Sequence, residues 1–434
     1  MPILEFLLTL LTRWIADFGA FLADALFSGI GLSVGIVLLM AILFRKYMDT
    51  IQTQFIISFP WTFLQVRVSE QNLRTPRAME EVFNIFHGAQ RVPDLYDIYF
   101  DGFVPVCLSI DIRGTSEGVT FIFRIPTGVR KLIEAAIYAQ YPEAEILDAE
   151  DFMTQYPIEK MERDFDLWGT ELTLQKDDAY PLKTYVDFED KLAEEEKFVD
   201  PMASLTEVVS SLKPGEEIWV QLLLRPEFRD AWKKKGEALA LKLGGREAAL
   251  KGKPSRLQQA LGFIGAVVGA VLPGPEIEAK RPSGLDVGAL RLTPGETDIV
   301  KAIQRNVSKI GFGVAIRTLA LGPKGKFVRR TRIPQVLGVW RPYALLNALI
   351  PDARFTTSRP LYGLSAIRQR RRKRRLLRRF QRRYFAEESF VLNVEELATI
   401  FHFPVSYVKT PTVEHARARK GEPPPEVPLA PLEE

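Results

Sequence analysis

The chain has 434 residues, a size that indicates two or three domains rather than one. Hydrophobic residues make up 47% of it and charged residues 26%, which excludes a chain that is disordered by composition. A single cysteine, Cys107, excludes intramolecular disulfides and cysteine-based zinc sites, and the three histidines lie far apart in sequence. We therefore expect no metal site and no bound cofactor.

The first uninterrupted apolar block predicts a membrane anchor. Residues 26–44 contain no charge and would form a helix of about 28 Å, the thickness of a hydrocarbon core. Arg45 and Lys46 end the block and form its charged flank, whereas acids outnumber bases before it. The positive-inside rule then predicts a single-pass protein of the inner (cytoplasmic) membrane, with its N-terminus outside and its C-terminal domains in the cytoplasm.

The residues before that block, 1–25, are apolar but interrupted by charges, a pattern typical of an amphipathic helix lying at the membrane interface. Two alternatives stay open at this point. Residues 3–22 could form a second short span, and residues 26–44 could be a buried helix of a soluble domain.

After the anchor, the periodicity predicts an α+β fold with two ferredoxin-like α/β sandwich units. In residues 60–150, apolar residues at period two alternate with helical segments in the order β-α-β-β-α-β. An acidic connector, 151–200, would lead to a second α+β domain at 201–405, with a strand at 182–188 introducing it.

The second domain is predicted to be interrupted. Four prolines mark an insertion at 251–283, and a basic helix is expected at 364–385. Inside the insertion, residues 257–272 are apolar enough for a helix that binds a membrane surface or a partner, or for a hairpin lid. Residues 406–434 form a proline-rich tail that we expect to be mobile.

Charge is strongly segregated along the chain. Residues 301–385 carry a local net charge of +22, although the whole chain carries only +4, and residues 143–200 carry −13. The densest cationic run predicts a helix that binds a polyanion through phosphate contacts. Its candidate residues are Arg368, Arg370, Arg371, Arg372, Lys373, Arg374, Arg375, Arg378, Arg379, Arg382 and Arg383. Nucleic acid, anionic lipid, and neutralisation by the acidic segment or by an acidic protein all remain open as its partner.

Searches for catalytic motifs find no bond-making chemistry. The sequence has no Walker A loop, no nucleophile elbow, no His-Glu-x-x-His and no dinucleotide glycine pattern. Cys107 falls on the strand face opposite the apolar stripe, beside Ser109 and Asp111 and without a nearby histidine. His402 is interpreted as a structural histidine at a helix end. We therefore predict no catalytic residues and no enzyme.

Several strings in order along the chain together resemble a known family. The strings are 64–68, 74–80, 86–88, 132–146, 180–185, 218–221 and 397–404. They resemble the membrane-proximal N-terminal half of type IV secretion or conjugation-like DNA-translocating ATPases of the HerA/FtsK superfamily from small-genome bacteria, without the ATPase domain. The resemblance covers almost the whole chain after Phe55 and includes no catalytic motif.

The resemblance implies a function in assembly. The chain would be a non-enzymatic membrane protein that anchors a type IV secretion-like or conjugative DNA-transfer apparatus, with the motor ATPase on a separate chain. Its partners would be membrane lipid, a separate P-loop ATPase or other secretion-apparatus subunits, DNA, and further copies of itself. The alternative is a membrane-tethered nucleic-acid-binding module that acts through the arginine-rich helix.

Overall fold

The computed structural model of the chain describes residues 13, 17, 29–69, 72–89, 93–190, 197–198, 200–228, 231–244, 292–358, 365–385 and 389–405. The chain divides into two compact units, Met1–Pro60 with Val92–Pro105, and Trp61–Arg91 with Val106–Glu434. The predicted insertion, the predicted tail and, apart from residues 13 and 17, the predicted interfacial helix lie outside the described residues.

The elements are named here in chain order. The helices are α1 (Gly29–Ser58), α2 (Arg77–Gly88), α3 (Leu95–Tyr99), α4 (Arg130–Gln140), α5 (Ile158–Asp164), α6 (Ala203–Ser210), α7 (Ala231–Leu243), α8 (Pro294–Ser308), α9 (Arg329–Gly338), α10 (Ser365–Gln381) and α11 (Val394–Ile400). The main-sheet strands are β1 (Trp61–Arg67), β2 (Leu108–Thr115), β3 (Gly118–Pro126), β4 (Glu145–Asp148), β5 (Phe165–Leu174), β6 (Glu217–Pro226), β7 (Gly311–Pro323), β8 (Leu349–Pro351) and β9 (Phe390–Asn393). A separate two-residue ladder joins Glu189–Asp190 to Lys197–Phe198.

The first unit is built on α1. No helix among the described residues meets both requirements of a membrane crossing, length and apolar character. The transmembrane helix at 26–44 therefore stays a prediction. Within α1, residues 36–40 and 42–44 are large apolar side chains, and each is at least half exposed.

The second unit contains one large antiparallel sheet, which confirms the α+β prediction. Its strand order is β8-β5-β7-β6-β2-β3-β1-β4, and β9 also pairs with β7. Strands β5 to β8 form one half of this sheet and β1 to β4 the other. Counted from its outer edge toward the centre of the sheet, each half has its fourth strand first, followed by its first, third and second strands. The halves meet where β2 pairs with β6, from Leu108 opposite Leu224 to Gly114 opposite Ile218.

The two faces of this sheet are covered differently. The main hydrophobic core lies on one face, where apolar residues of the sheet pack with side chains of α2, α4, α6, α9 and α11. A smaller core lies on the other face, where Trp219, Leu319 and Leu321 pack with Phe380 of α10. Strands covered on both sides read as nearly continuous apolar runs, as β6 and β7 do.

One predicted strand is wrong and a real one was missed. Residues 182–188 do not form a strand, because Tyr185–Asp187 is a short 3-10 helix whose first turn is capped by Thr184 and Asp187. The strand that opens the second half is β5, which lies inside the segment predicted as an acidic connector. Asp166 and Glu171 give this strand the composition of a solvated connector, because the lysine and arginines that pair with them are distant in sequence.

Candidate polyanion-binding surface

The predicted basic helix exists as α10, and its few apolar side chains fix how it lies. Leu376, Leu377 and Phe380 are buried against the second face of the sheet, with the Phe380 ring 5.7 Å from that of Trp219. Each such side chain contributes roughly 1.5–3 kcal/mol when it leaves water. Because a helix has 3.6 residues per turn, this anchoring turns some of its cations toward the sheet and others toward solvent.

Cations near the start of α10 pair with acids of α5 and β5. Arg370 and Arg374 both donate to the carboxylate of Glu162, and Lys373 donates to Asp166. The hydrogen bonds from Arg374 and Arg370 lower the pKa of Glu162 to about 2. The acidic segment therefore neutralises part of the helix, which was one of the alternatives left open by the sequence.

A second group of contacts lies under the C-terminal part of the helix. Arg379 donates to Glu171 of β5 through both Nε and Nη2, at 3.1 Å each. The fully buried Arg317 of β7 also donates to Glu171, at 3.1 Å, and to the side-chain oxygen of Gln221 at 2.8 Å. Burial lowers the pKa of the Arg317 guanidinium, and the charge of Glu171 acts against that effect.

The last turn of α10 is held by the same network. Arg317 donates to the backbone carbonyls of Arg379 and Tyr384, and the Gln221 amide donates to the carbonyl of Phe380 at 3.1 Å. Helix-terminal carbonyls lack partners within the helix, so buried donors from the sheet satisfy them here. The register of α10 on the sheet is thereby fixed by polar contacts as well as by apolar ones.

Arg383 closes the helix in an unusual conformation. Its φ is +49°, the left-handed region that glycine usually occupies at this position, and the turn has the hydrogen bonds of a Schellman motif. Its buried guanidinium donates to Asp111 at 2.8 Å and to Asp151 at 2.7 Å. Although burial works in the opposite direction, these two carboxylates raise the pKa of Arg383. The ion pairs offset a backbone strain of about 1–2 kcal/mol.

The remaining cations form a row on the solvent side. Arg371, Arg375, Arg378 and Arg382 are exposed and follow one another at spacings of four, three and four residues, which places them on one helix face. Among the described residues, no carboxylate lies within salt-bridge distance of these four guanidiniums. We call this row the outer arginine stripe.

Aromatic side chains border the stripe. The Arg375 guanidinium lies 5.0 Å from the ring centre of Phe355, and the half-exposed Tyr384 lies where the stripe ends. The stripe borders one shallow groove, which is lined by Arg371, Arg374, Arg375, Arg378, Arg379, Arg382 and Tyr384.

The structure thus divides the eleven predicted cations. Six of them donate to a carboxylate or a backbone carbonyl through the side chain: Arg370, Arg372, Lys373, Arg374, Arg379 and Arg383. Four form the outer arginine stripe, and Arg368 is exposed in the first turn of α10. Arg45 and Lys46 lie exposed within α1, directly after its apolar stretch.

Other candidate residues have structural roles. Burial raises the pKa of the Cys107 thiol to about 12, so the thiol remains protonated at neutral pH and is a poor nucleophile. His402 is buried after α11, where its ring nitrogens lie 2.9 Å from Asp200 and 2.9 Å from the carbonyl of Ala398. Within the described ranges, no group of three or more His, Cys, Asp or Glu residues could hold a metal ion.

Sequence reasoning missed the buried half of this site. Asp111, Glu171 and Arg317 were not recognised as partners of the basic helix. A usable signal exists, because each is a charged residue inside a strand that otherwise reads as apolar or alternating. Buried charges require partners, so each of them predicts an opposite charge on whatever element covers its strand.

Comparison with known proteins identifies a family for this chain but does not identify a function. A family model described as a domain of unknown function (DUF8128) matches residues 107–416, which is well over half of the chain and includes the whole of α10. No curated protein and no solved structure matches the chain.

Proposed function

The chain belongs to the DUF8128 family, and we propose that it is a non-enzymatic, membrane-tethered protein that binds nucleic acid through the outer arginine stripe. The observation that carries the proposal is the division of α10 into paired inner cations and an outer row without carboxylate partners among the described residues. A helix stabilised only by neutralising its own charges would not need that outer row.

The chemistry of the row supports a phosphate backbone as its ligand. Guanidinium groups bind phosphate oxygens in a bidentate manner, and neighbours on one helix face lie about 5–6 Å apart. Four such groups present a ladder of positive charge over roughly 16 Å of helix. Tyr384 at the end of the groove adds an exposed ring on which a base can stack, which favours nucleic acid over a lipid headgroup.

The membrane tether in this proposal is the apolar stretch of α1. Helices that are apolar on every side occur in protein cores or in membranes, and residues 36–40 and 42–44 are exposed in the first unit. Arg45 and Lys46 follow this stretch, as expected at the cytoplasmic side of a single-pass protein of the inner membrane.

The narrower predictions remain proposals. Each half of the sheet has the element order of a ferredoxin-like unit, so we propose two such units that share one sheet. The anchor role in a type IV secretion-like or conjugative apparatus, with a separate P-loop ATPase, rests on the sequence resemblance alone. Co-purification with such an ATPase would support it.

The test compares a variant that lacks the four charges of the outer arginine stripe with a variant that lacks four charges elsewhere on the second unit. The variant Arg371→Gln/Arg375→Gln/Arg378→Gln/Arg382→Gln loses four cations from the stripe. A matched control, Lys234→Gln/Lys242→Gln/Lys326→Gln/Arg330→Gln, loses four exposed cations from the rest of the second unit. Full-length protein in neutral-lipid nanodiscs is titrated with labelled duplex DNA at several salt concentrations.

We expect the stripe variant to lose most of its DNA affinity, and the slope of log K against log salt to become shallower by about 3 to 4, near 0.9 per lost phosphate contact. The control should change this slope by about 1 or less. Unchanged DNA binding in the stripe variant would overturn the proposal. Binding to phosphatidylglycerol vesicles is measured in parallel. If the stripe variant loses binding to these vesicles but keeps its DNA affinity, the stripe is assigned to lipid instead.

A further inference from the structure

The first unit holds a second element beside α1 that comes from about fifty residues further along the chain. The Tyr47 hydroxyl donates to the backbone carbonyl of Tyr99 at 3.1 Å, and the rings of Phe44 and Tyr99 lie 6.1 Å apart. Tyr99 is the last residue of α3. The contact therefore places the end of α3 next to Arg45 and Lys46, where the apolar stretch of α1 stops.

The chain after α3 runs along α1 away from that apolar stretch. Gly102 has a φ of +67°, and a Cβ at this position would lie only 2.5 Å from the backbone carbonyl carbon of Ile51. Only glycine allows this approach. One residue later, Phe103 packs on Phe55 with ring centres 5.3 Å apart. These contacts hold α3 at the level of residues 44–47 and direct the rest of the segment toward the far end of α1.

Two side chains of α3 and that of the residue after it, Phe100, are large, apolar and exposed. Leu95 is 73% exposed, Tyr96 62% and Phe100 64%, and the rings of Tyr96 and Phe100 stack at 4.9 Å. A capping box formed by Asp94 and Asp97 fixes the first turn of this short helix. The stacked rings of Tyr96 and Phe100, together with the exposed Leu95 in the same short segment, are what we call the aromatic surface of α3.

We propose that the aromatic surface of α3 lies in the headgroup region of the bilayer beside α1, as a second membrane contact that sets the depth and tilt of the tether. Tyrosine and other amphipathic rings concentrate at this level of a membrane, next to the basic residues that end a span. Tyr99, which directly precedes Phe100, contacts Phe44 and Tyr47, so the surface lies near the level of Arg45 and Lys46. This inference rests on the proposed insertion of α1.

Fluorescent probes at three positions test the inference separately from the tether itself. Single cysteines replace Leu95 in the aromatic surface, Leu39 in the apolar stretch, and Gln54, which lies about 22 Å beyond Leu39 along α1. The background is Cys107→Ser. Full-length protein is labelled with an environment-sensitive dye and reconstituted in phosphatidylcholine vesicles that carry nitroxides at the headgroup or deep in the acyl chains.

We expect the Leu39 probe to be quenched mainly by the deep nitroxide, the Leu95 probe mainly by the headgroup nitroxide, and the Gln54 probe by neither. Adding Tyr96→Ser/Phe100→Ser should reduce quenching of the Leu95 probe and leave the Leu39 probe unchanged. A quenched Leu39 probe with an unquenched Leu95 probe would overturn the aromatic contact and keep the tether. Absence of quenching at both positions would overturn the tether as well.

Discussion

The inner and outer sides of α10 carry the same kind of residue in different environments. On the inner side, Arg374, Arg379 and Arg383 meet Glu162, Glu171 and the pair Asp111 and Asp151. On the outer side, Arg371, Arg378 and Arg382 face solvent. Arginine content alone therefore does not identify a binding surface. The apolar residues that decide which way the helix faces also decide which arginines can reach a ligand.

The difference in burial implies a difference in what each side contributes. An inner arginine compensates a carboxylate that would otherwise be buried without a partner, so its removal should reduce the stability of the fold. An outer arginine gives little stability in water and retains its charge for a ligand. The two sets should separate in experiments that measure unfolding and DNA binding on the same variants.

The largest effect is expected from Arg383→Met. Asp111, which is fully buried, would lose its two hydrogen bonds from the guanidinium and keep only those from Ser109 and Gln221. Removing one partner of a buried pair costs about 3–5 kcal/mol. Urea unfolding of the purified protein, followed by tryptophan fluorescence, measures this loss.

Two further variants check that interpretation. Arg378→Gln, on the outer side, should change the free energy of unfolding by less than about 0.5 kcal/mol. Adding Asp111→Asn to Arg383→Met should recover part of the loss, because the uncompensated charge is then gone. Equal destabilisation by Arg383→Met and Arg378→Gln would show that the two sides do not differ.

A smaller loss is expected from Gly169→Ala, which tests how closely β5 is packed against α10 and β7. A Cβ at Gly169 would lie 2.7 Å from the Cδ2 atom of Leu376 and 2.8 Å from the carbonyl oxygen of Thr318. The backbone oxygen has little room to move, so we expect a loss of about 1–3 kcal/mol in the same unfolding assay. Gly338→Ala is the control, since nothing lies within 4 Å of its added carbon. A neutral Gly169→Ala would show that β5 is not packed this closely against Leu376 and Thr318.

The smallest effect is expected from pH. The pKa of Glu162 is lowered from its usual 4.5 to about 2 by hydrogen bonds from Arg374 and Arg370. The native state therefore holds this proton less tightly than the unfolded chain does. The stabilisation is complete above about pH 4.5 and is lost as the pH falls toward 2.

Comparing Glu162→Gln with the unaltered protein isolates this contribution. The two melting temperatures should differ most above pH 4.5 and converge as the pH falls. Because the pair is partly exposed, high salt should reduce the difference. A difference that is the same at every pH would mean that the ion pair does not stabilise the docked helix.

Part of the fold follows from the sequence, and particular residues show where prediction fails. The alternation in β2 and β3 and the arginine-rich α10 are local patterns, and the structure shows both. Strand β5 was missed because Asp166 and Glu171 make it look like a solvated connector. Those acids are acceptable inside a sheet because cations distant in sequence pair with them, among them Lys373 and Arg379 from about two hundred residues further along the chain.

The sequence by itself determined that the chain has an α+β body, a helix dense in cations and an apolar stretch followed by Arg45 and Lys46. These properties follow from periodicity and composition, which are local. The tertiary structure alone decided that one sheet joins both halves, that α3 lies beside α1, and which arginines face solvent. These outcomes depend on long-range packing, since a charge is paired or free according to what the fold places next to it.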